Sequence, residues 1–590
     1  MNGMTPRVSS GLADELNEAV AVGVRSEALQ TAATPASRIP EMVAESGANG
    51  ITAAPQPDRA SLPPTGGQAP LGESREPEDE DPRPLWERTV NAFQWQFATV
   101  FGKQLLQFVV VAVLARLLAP EDFGLVVQAT IFVGFANLFQ DMGAALALIQ
   151  RKTITDRHIR VAFTFSMATG LVMTAVAWFG AWIPAQVFEN PALEPLLQLL
   201  SLTLLFKSGA ITSICLLTRR MDFRTSFWIS TVSYVIGSAV VGVSLALAGY
   251  GPWALVWAYV AQDFLLCGLG LLIVRHPMRP LFAWTETKQL LDFGVGMTLS
   301  KVMFYLTQNL DMFVVGRWLG ATPLGLYSRA YQLVIVSNEA FAQVLGRVLF
   351  PALSKLQDDI ERLRNAYLRA VSMVSFVAFP IFTGLAVVAP EAIGFVFGPQ
   401  WDASVRPLQA LCAGGVFWSV TTLSDQVANA TGAVYPMFRR RIVLAAAIFA
   451  GALIGSRIGI VGVAMGVATA LLLTYFLMAH LCLRLTQCTW RQFAIAQIPG
   501  ACVATVVTIC AHLVALVLRA HGFSTFNTLA LSVAVGVGVG LACVLTLPRT
   551  WLPDSSRWTL EKIEGIVTKV ALSFHGKGFP VPFLAGKLEK

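Results

Sequence analysis

From about residue 93 onward the sequence is a series of apolar runs of some twenty residues, cut by short polar loops. No other feature restricts the fold as strongly. About 20 apolar residues in a helix cross the hydrocarbon core of a bilayer, and a helix satisfies its own backbone groups where no water can. Fourteen such runs are read, at 93–117, 124–150, 161–184, 195–218, 226–248, 252–274, 290–316, 325–350, 369–390, 405–430, 441–456, 460–483, 494–518 and 525–548. The eleventh is short. The expected fold is an all-α polytopic membrane protein of about fourteen transmembrane helices. Composition agrees: 55% of the 590 residues are hydrophobic and 13% are charged, against roughly a quarter charged in soluble domains. The net charge of +7 does not point to nucleic acid, because the basic residues sit in short clusters between apolar runs.

Those clusters orient the chain. Lys and Arg gather in alternate loops, such as "RKTITDRHIR", "RRMDFR", "RHPMRPLFAWTETK" and "FRRR". The intervening loops, such as "APEDFG" and "GYG", are poor in them. The positive-inside rule then places both termini in the cytoplasm. Residues 1–85 are rich in Pro, Ala, Ser, Gly and Glu and are expected to be disordered, with too little apolar area to offset the entropy of ordering. They lack the basic-then-apolar layout of a secretory signal. The cysteines lie mostly inside apolar runs with no CxxC pair, so they read as packing residues rather than disulfide or metal ligands.

One pattern occurs twice. Laying "RLLAPEDFGLVVQA" from Arg116 over "RWLGATPLGLYSRA" from Arg317 matches Leu118 with Leu319, Gly124 with Gly325, Leu125 with Leu326 and Ala129 with Ala330. Two further pairs recur at similar offsets: "VFENPALEPLLQLL" with "VFGPQWDASVRPLQAL", and "GYGPWALVWAYV" with "RIGIVGVAMGVA". Each pair is six runs apart, an even number, so the copies share one orientation and form a parallel repeat. The expected organisation is an N-lobe at 86–276 and a C-lobe at 277–486, each of six helices. Two additional helices at 487–548 and a cytoplasmic tail at 549–590 follow. In the tail, Leu560, Ile563, Ile566, Val567, Val570 and Phe574 make one face of an amphipathic helix.

The stretch "GKQLLQFVVVAVLARLLAPEDFGLVVQATIFVGFANLFQDMGAALALIQRKTITDRHIRVAF" resembles the opening of the Wzx-like polysaccharide-biosynthesis flippases. These form a branch of the multidrug/oligosaccharidyl-lipid/polysaccharide superfamily. "LDFGVGMTLSKVMFYLTQNLDMFVVGRWLGATPLGLYSRAYQLV", "LGRVLFPALSKLQDDIERLRNAYLRAV" and "FPIFTGLAVVAPEAIGFVFGPQW" extend the likeness from about Trp86 to past Arg484. The resemblance implies two six-helix lobes and export of undecaprenyl-pyrophosphate-linked repeat units across a bacterial inner membrane for exopolysaccharide or lipopolysaccharide. It allows a polysaccharide polymerase and chain-length machinery as partners.

Charges inside spans are costly and by default face a cavity or each other. The basic ones are Lys103, Lys207, Lys301, Arg329 and Arg347; the acidic ones are Asp141, Asp263, Asp311, Glu339 and Asp425. The cations are the candidates for hosting an anionic head group in a low-dielectric cleft; pairing with carboxylates or snorkelling is the structural alternative. The carboxylates read either as structural partners or as ion-coupling groups, with Asp263 the first partner to expect for Lys207 and Asp141 for Lys103. Gln308, Asn309 and Asn429 stand as sugar-hydroxyl partners or interhelical hydrogen bonds. Arg116 and Arg317, at loop edges, read as helix-end caps.

No cofactor, metal or catalytic residue is expected. "VGVGVG" at 535–540 lacks the Lys-Ser/Thr of a phosphate loop and reads as close helix packing. Two other classes compete. A drug exporter of the same superfamily shares the architecture. A membrane glycosyltransferase would use loop carboxylates such as Glu121 and Asp122, but the repeated copy "LGATPLG" lacks them.

Overall fold

Several helices begin where local chemistry satisfies their first free N–H groups. The Asp222 carboxylate accepts from Thr225 N–H at 3.1 Å and that of Asp359 from Arg362 N–H at 3.0 Å. Thr489 and Gln492 form a capping box, and Pro252 stands at the start of its helix, where its missing N–H costs nothing. The computed structural model describes residues 102, 104–140, 148–149, 154–281, 283–546 and 557, with backbone alone at 284–300, 340–348, 350–352 and 544–545. These belong to one unit, Ser74–Lys590. The expected disordered segment, Lys103, Asp141 and the amphipathic tail lie outside the described residues.

The helices are α1 (Gln104–Leu117), α2 (Pro120–Gln140), α3 (Asp156–Phe179), the short α4 (Trp182–Val187), α5 (Leu193–Arg219), α6 (Phe223–Leu247) and α7 (Pro252–Val274). There follow α8 (Trp284–Trp318), α9 (Ala321–Ser354), α10 (Ile360–Val387), the short α11 (Ala389–Val396) and α12 (Val405–Ala430). The series closes with α13 (Val434–Ser456), α14 (Ile460–Leu485), α15 (Trp490–Ala520) and α16 (Thr525–Thr546). The described residues are thus helical at every expected span, and the chain is an all-α multi-pass membrane protein. Among them, nine helices are long and apolar enough to cross a bilayer by length and composition. The long helices outside that set, α8, α9, α12 and α13, all lie in the second half and carry charge or many polar groups.

The eleventh span differs from the expectation. It is not a short run at 441–456 but a full helix from Val434, so Arg439, Arg440 and Arg441 lie within it rather than in a loop. Its far half is held against α14 by glycines: the carbonyl of Gly466 lies against Gly451, and that of Gly462 against Gly455. Side chains there would force the two backbones apart.

The repeat is visible in the packing. In the first half α5 packs on α2, α3 and α7; in the second, α12 packs on the counterparts α9, α10 and α14. Backbone geometry repeats as well. Gly251 (φ 53°) precedes α7 and Gly459 (φ 97°) precedes α14 at matched positions. Glu189 (φ 53°) and Gly398 (φ 104°) match in the second repeated pair, with Glu189 held in a region that side chains avoid. One buried apolar cluster runs through both halves. α15 lies along α10, with the rings of Tyr367 and Phe493 stacked at 6.1 Å, and α16 packs on α15.

His276 follows α7 in the linker between the halves, is buried, and faces the Phe163 ring at 5.1 Å. Its Nε2 lies 3.1 Å from Ser213 Oγ, and Nδ1 has no partner. Burial pushes its pKa below the ordinary value. The unfolded chain therefore takes a proton near pH 6.5 that the folded ring resists. This contribution to stability is present above about pH 6.5 and is lost as pH falls from there through the lower folded value. The melting temperature is expected to drop between pH 8 and pH 5.5 by less in His276→Gln than in the parent; equal drops would show that another group controls the acid limb.

Candidate functional site

The motif that occurs twice is where the halves meet. Gly124, one turn into α2, lies against the carbonyl of Ala321 at the start of α9; Gly325, one turn into α9, lies against the carbonyl of Pro120 at the start of α2. Pro120 and Ala321 are themselves equivalent positions, so the contact is reciprocal, as a two-fold axis between repeats requires. A Cβ at either glycine would enter backbone.

The repeated arginines do not cap their own helices. They cross the seam. Arg116 of the first half donates to the carbonyls of Phe395 and Val396 in the second, and Arg317 of the second reaches Glu189 Oε1 of the first at 2.6 Å. The asymmetry has a simple origin: where the first half offers the Glu189 carboxylate, the second has Gly398 and offers only carbonyls. Trp401 Nε1 donates to Ala115 O at 2.8 Å, and its ring meets Phe123 edge-on at 5.4 Å. Deeper, Gln128 Nε2 donates to Gly316 O at 3.1 Å and the Tyr305 hydroxyl to Ile131 O at 2.8 Å. Helical rise puts Ile131 about 16 Å below the start of α2, so the seam is sealed over a substantial part of the span. Asp122 serves this end structurally: its carboxylate accepts from Ala119 N–H at 2.9 Å.

The expected charges fall into three groups. Lys207 pairs with Asp263 at 3.6 Å, the partner anticipated from depth; the lysine side chain is 44% exposed and the aspartate 4%. Arg329 lies at the seam, with its guanidinium 4.7 Å from the centre of the Phe123 ring and its Nε without a hydrogen bond. It takes the place matched in the first half by Gln128, and a cation–π contact of this kind ties the halves together. Lys301 is half-buried with no carboxylate in ion-pair range among the described residues, Glu339 is exposed, and Arg347 is described by its backbone only.

The third group surrounds a cavity of about 70 Å³ inside the second half, between α8, α9, α12, α13 and α14. Asp311, Gln308, Tyr331, Trp418, Asp425 and Arg441 line it. Asp311 is fixed by the Tyr327 hydroxyl at 2.7 Å, with its second oxygen unpartnered. Asp425 pairs with Arg441 at 3.3 Å. Arg440, also on the lining, donates to the carbonyls of Leu477 and Pro436. Asn309 bonds only its own helix, to Tyr305 O, and Asn429 is exposed and away from the cavity lining. The cations that sequence reasoning missed are therefore Arg440 and Arg441. The signal available for them was Gly432 followed by a helix-compatible run, which moves the helix start before the arginines.

A family model described as "Polysaccharide biosynthesis protein" matches residues 113–406. Over that stretch the chain is similar to proteins of this family. Among its relatives, the lipopolysaccharide biosynthesis protein WzxC of Escherichia coli (strain K12) is 29% identical over 67% of this chain and 81% of the relative. The succinoglycan biosynthesis transport protein ExoT of Rhizobium meliloti (strain 1021) is 30% identical over 54% of this chain and 64% of the relative. The lipid II flippase MurJ in an inward closed conformation superposes with a TM-score of 0.61 at 15% identity, covering 76% of this chain and 98% of that one. The last likeness is one of fold.

Proposed function

We propose that this protein moves undecaprenyl-pyrophosphate-linked oligosaccharide repeat units across the bacterial inner membrane, by alternating access between two lobes, for exopolysaccharide or lipopolysaccharide synthesis. The observation that carries the reading is the reciprocal seam. Two repeated halves meet at one end through equivalent residues, backbone against backbone, so they can part there as rigid bodies without unfolding either half. The names of the relatives, a lipopolysaccharide biosynthesis protein and a succinoglycan biosynthesis transport protein, supply the cargo class. On this reading the lobes span 86–276 and 277–486, both termini are cytoplasmic and the motif end faces outward. The protein is a transporter rather than an enzyme, and it works beside a polymerase and chain-length machinery.

Deletion of the gene is expected to leave complete lipid-linked repeats accumulating at the cytoplasmic face. Incomplete repeats would indicate a glycosyltransferase instead, and unchanged lipid-linked saccharides a drug exporter. Within the same reading Lys103, Lys207, Lys301 and Arg347 line the path and host the anionic head, while Arg329 and the acidic residues serve structure or coupling. Lys→Gln at 207 is expected to lower export and, by stranding buried Asp263, also to lower stability; Asp263→Asn alongside it should restore the fold but not the export. Full export by a triple Lys→Gln variant of normal abundance would remove the lysines from the path.

A further inference from the structure

The Asp425–Arg441 pair sits on the wall of the second-half cavity and is held loosely. Its single contact is 3.3 Å, against the bidentate 2.6 and 2.8 Å of Glu391 with Arg519 of α15. Both partners stay reachable, with the side chains of Arg441 and Asp425 29% and 23% exposed. Two guanidinium groups, Arg440 and Arg441, line this end of the cavity, and Asp425 pairs with Arg441 alone. Arg440 is pinned by two carbonyls, which fixes its direction and adds no negative charge to balance it. The Arg441 guanidinium lies 5.8 Å from the centre of the Phe304 ring, and Asp311, the other carboxylate on the wall, stands seven residues, about 10 Å, farther along α8. A pre-oriented pair of arginines with half the counter-charge it needs, in an apolar helix bundle, favours an incoming oxyanion. The volume of about 70 Å³ holds a few waters or one phosphoryl-sized group, and is too small for a sugar ring.

We propose that Arg440 and Arg441 form a binding site for a phosphoryl-type oxyanion, and that Asp425 is a place-holder that occupies Arg441 until the oxyanion displaces it. The site lies about 10 Å from the end of the bundle opposite the seam. An anionic head entering there would meet it first. The identification of that oxyanion as the diphosphate of the cargo rests on the transport reading above; an anionic phospholipid headgroup has the same chemistry.

The test uses the purified full chain in neutral detergent, titrated calorimetrically with inorganic diphosphate and with farnesyl diphosphate. Arg441→Gln is expected to weaken both at least about tenfold, the worth of one charge-assisted contact, and Arg441→Lys to recover part of the loss. Asp425→Asn is expected to bind severalfold more tightly than the parent, because the competitor is gone. A merely structural ion pair gives the opposite result, with Asp425→Asn lowering the melting temperature without tightening binding, and that outcome overturns the proposal. So does binding unaffected by Arg441→Gln. Phosphatidylglycerol micelles that displace farnesyl diphosphate at equal phosphate concentration would overturn the cargo assignment in favour of a lipid headgroup. In the deletion strain, full export by Arg441→Gln refutes this site and leaves the transport reading intact. Failure of the deletion itself to accumulate lipid-linked saccharide refutes the transport reading and leaves the binding result standing.

Discussion

Leucine at Gly124 or Gly325 is expected to abolish export while leaving the helices folded. At both positions the neighbour is a backbone carbonyl at the start of the opposite helix, and backbone cannot rotate aside as a side chain can. The starts of α2 and α9 must separate, and the crossed contacts of Arg116, Arg317 and Trp401 stretch with them. Overpacking of this kind costs about 1–3 kcal/mol, or roughly ten- to a hundredfold in the balance between sealed and parted halves. Because the two glycines share one contact, the double variant should cost less than the sum of the singles. Spin labels at Glu121 and Thr322, both exposed beside the seam, report the separation directly. A distance distribution unchanged by Gly124→Leu, with normal export, would show that the seam does not gate transport. Arg317→Gln is the mild comparison: its partner Glu189 is 70% exposed, and such pairs contribute about 1 kcal/mol or less.

The second large effect lies between α11 and α15. Glu391 is buried, and Arg519 grips it through two hydrogen bonds, joining the thirteenth span to the seam end of the second half. Arg519→Met leaves a buried carboxylate without a counter-ion. Breaking such a pair costs about 3–5 kcal/mol when it is fully enclosed, and the partial exposure of Arg519 reduces this to about 2–3 kcal/mol by solvent screening. The melting temperature in detergent should fall accordingly. Glu391→Gln added to Arg519→Met should recover most of the loss, because the stranded charge is then gone. Equal losses in the single and double variants would show that packing of the arginine stem, not its charge, holds α15 in place.

The residues that sequence reasoning placed well and those it misplaced differ in one respect, the distance to the partner. Lys207 and Asp263 lie in neighbouring helices of one half, and depth along the spans was enough to pair them. Arg116 and Arg317 look like helix caps because each stands at a helix end, yet their partners are 279 and 128 residues away. Arg440 and Arg441 look like loop residues because three consecutive arginines are unwelcome in a span. The cavity lined by Asp311 and Asp425 supplies the polar surroundings that make them tolerable there, and those surroundings come from four other helices.

The sequence by itself determined that this is a multi-pass helical membrane protein, where its helices run, that its two halves repeat, and which family it resembles. Each of these depends on local information. A bilayer forces every span to satisfy its own backbone, so hydropathy alone locates the helices, and a repeat is a comparison of the chain with itself. Only the tertiary structure decided that the repeated motif is the contact between the halves, that its arginines reach across rather than back, and that α13 turns one arginine toward Asp425. The rotation of a helix about its axis sets which side chains face a seam, a cavity or lipid. In an apolar bundle that rotation is fixed by close packing of small residues such as Gly124 with Ala321 and Gly455 with Gly462, across distances that no sequence window spans.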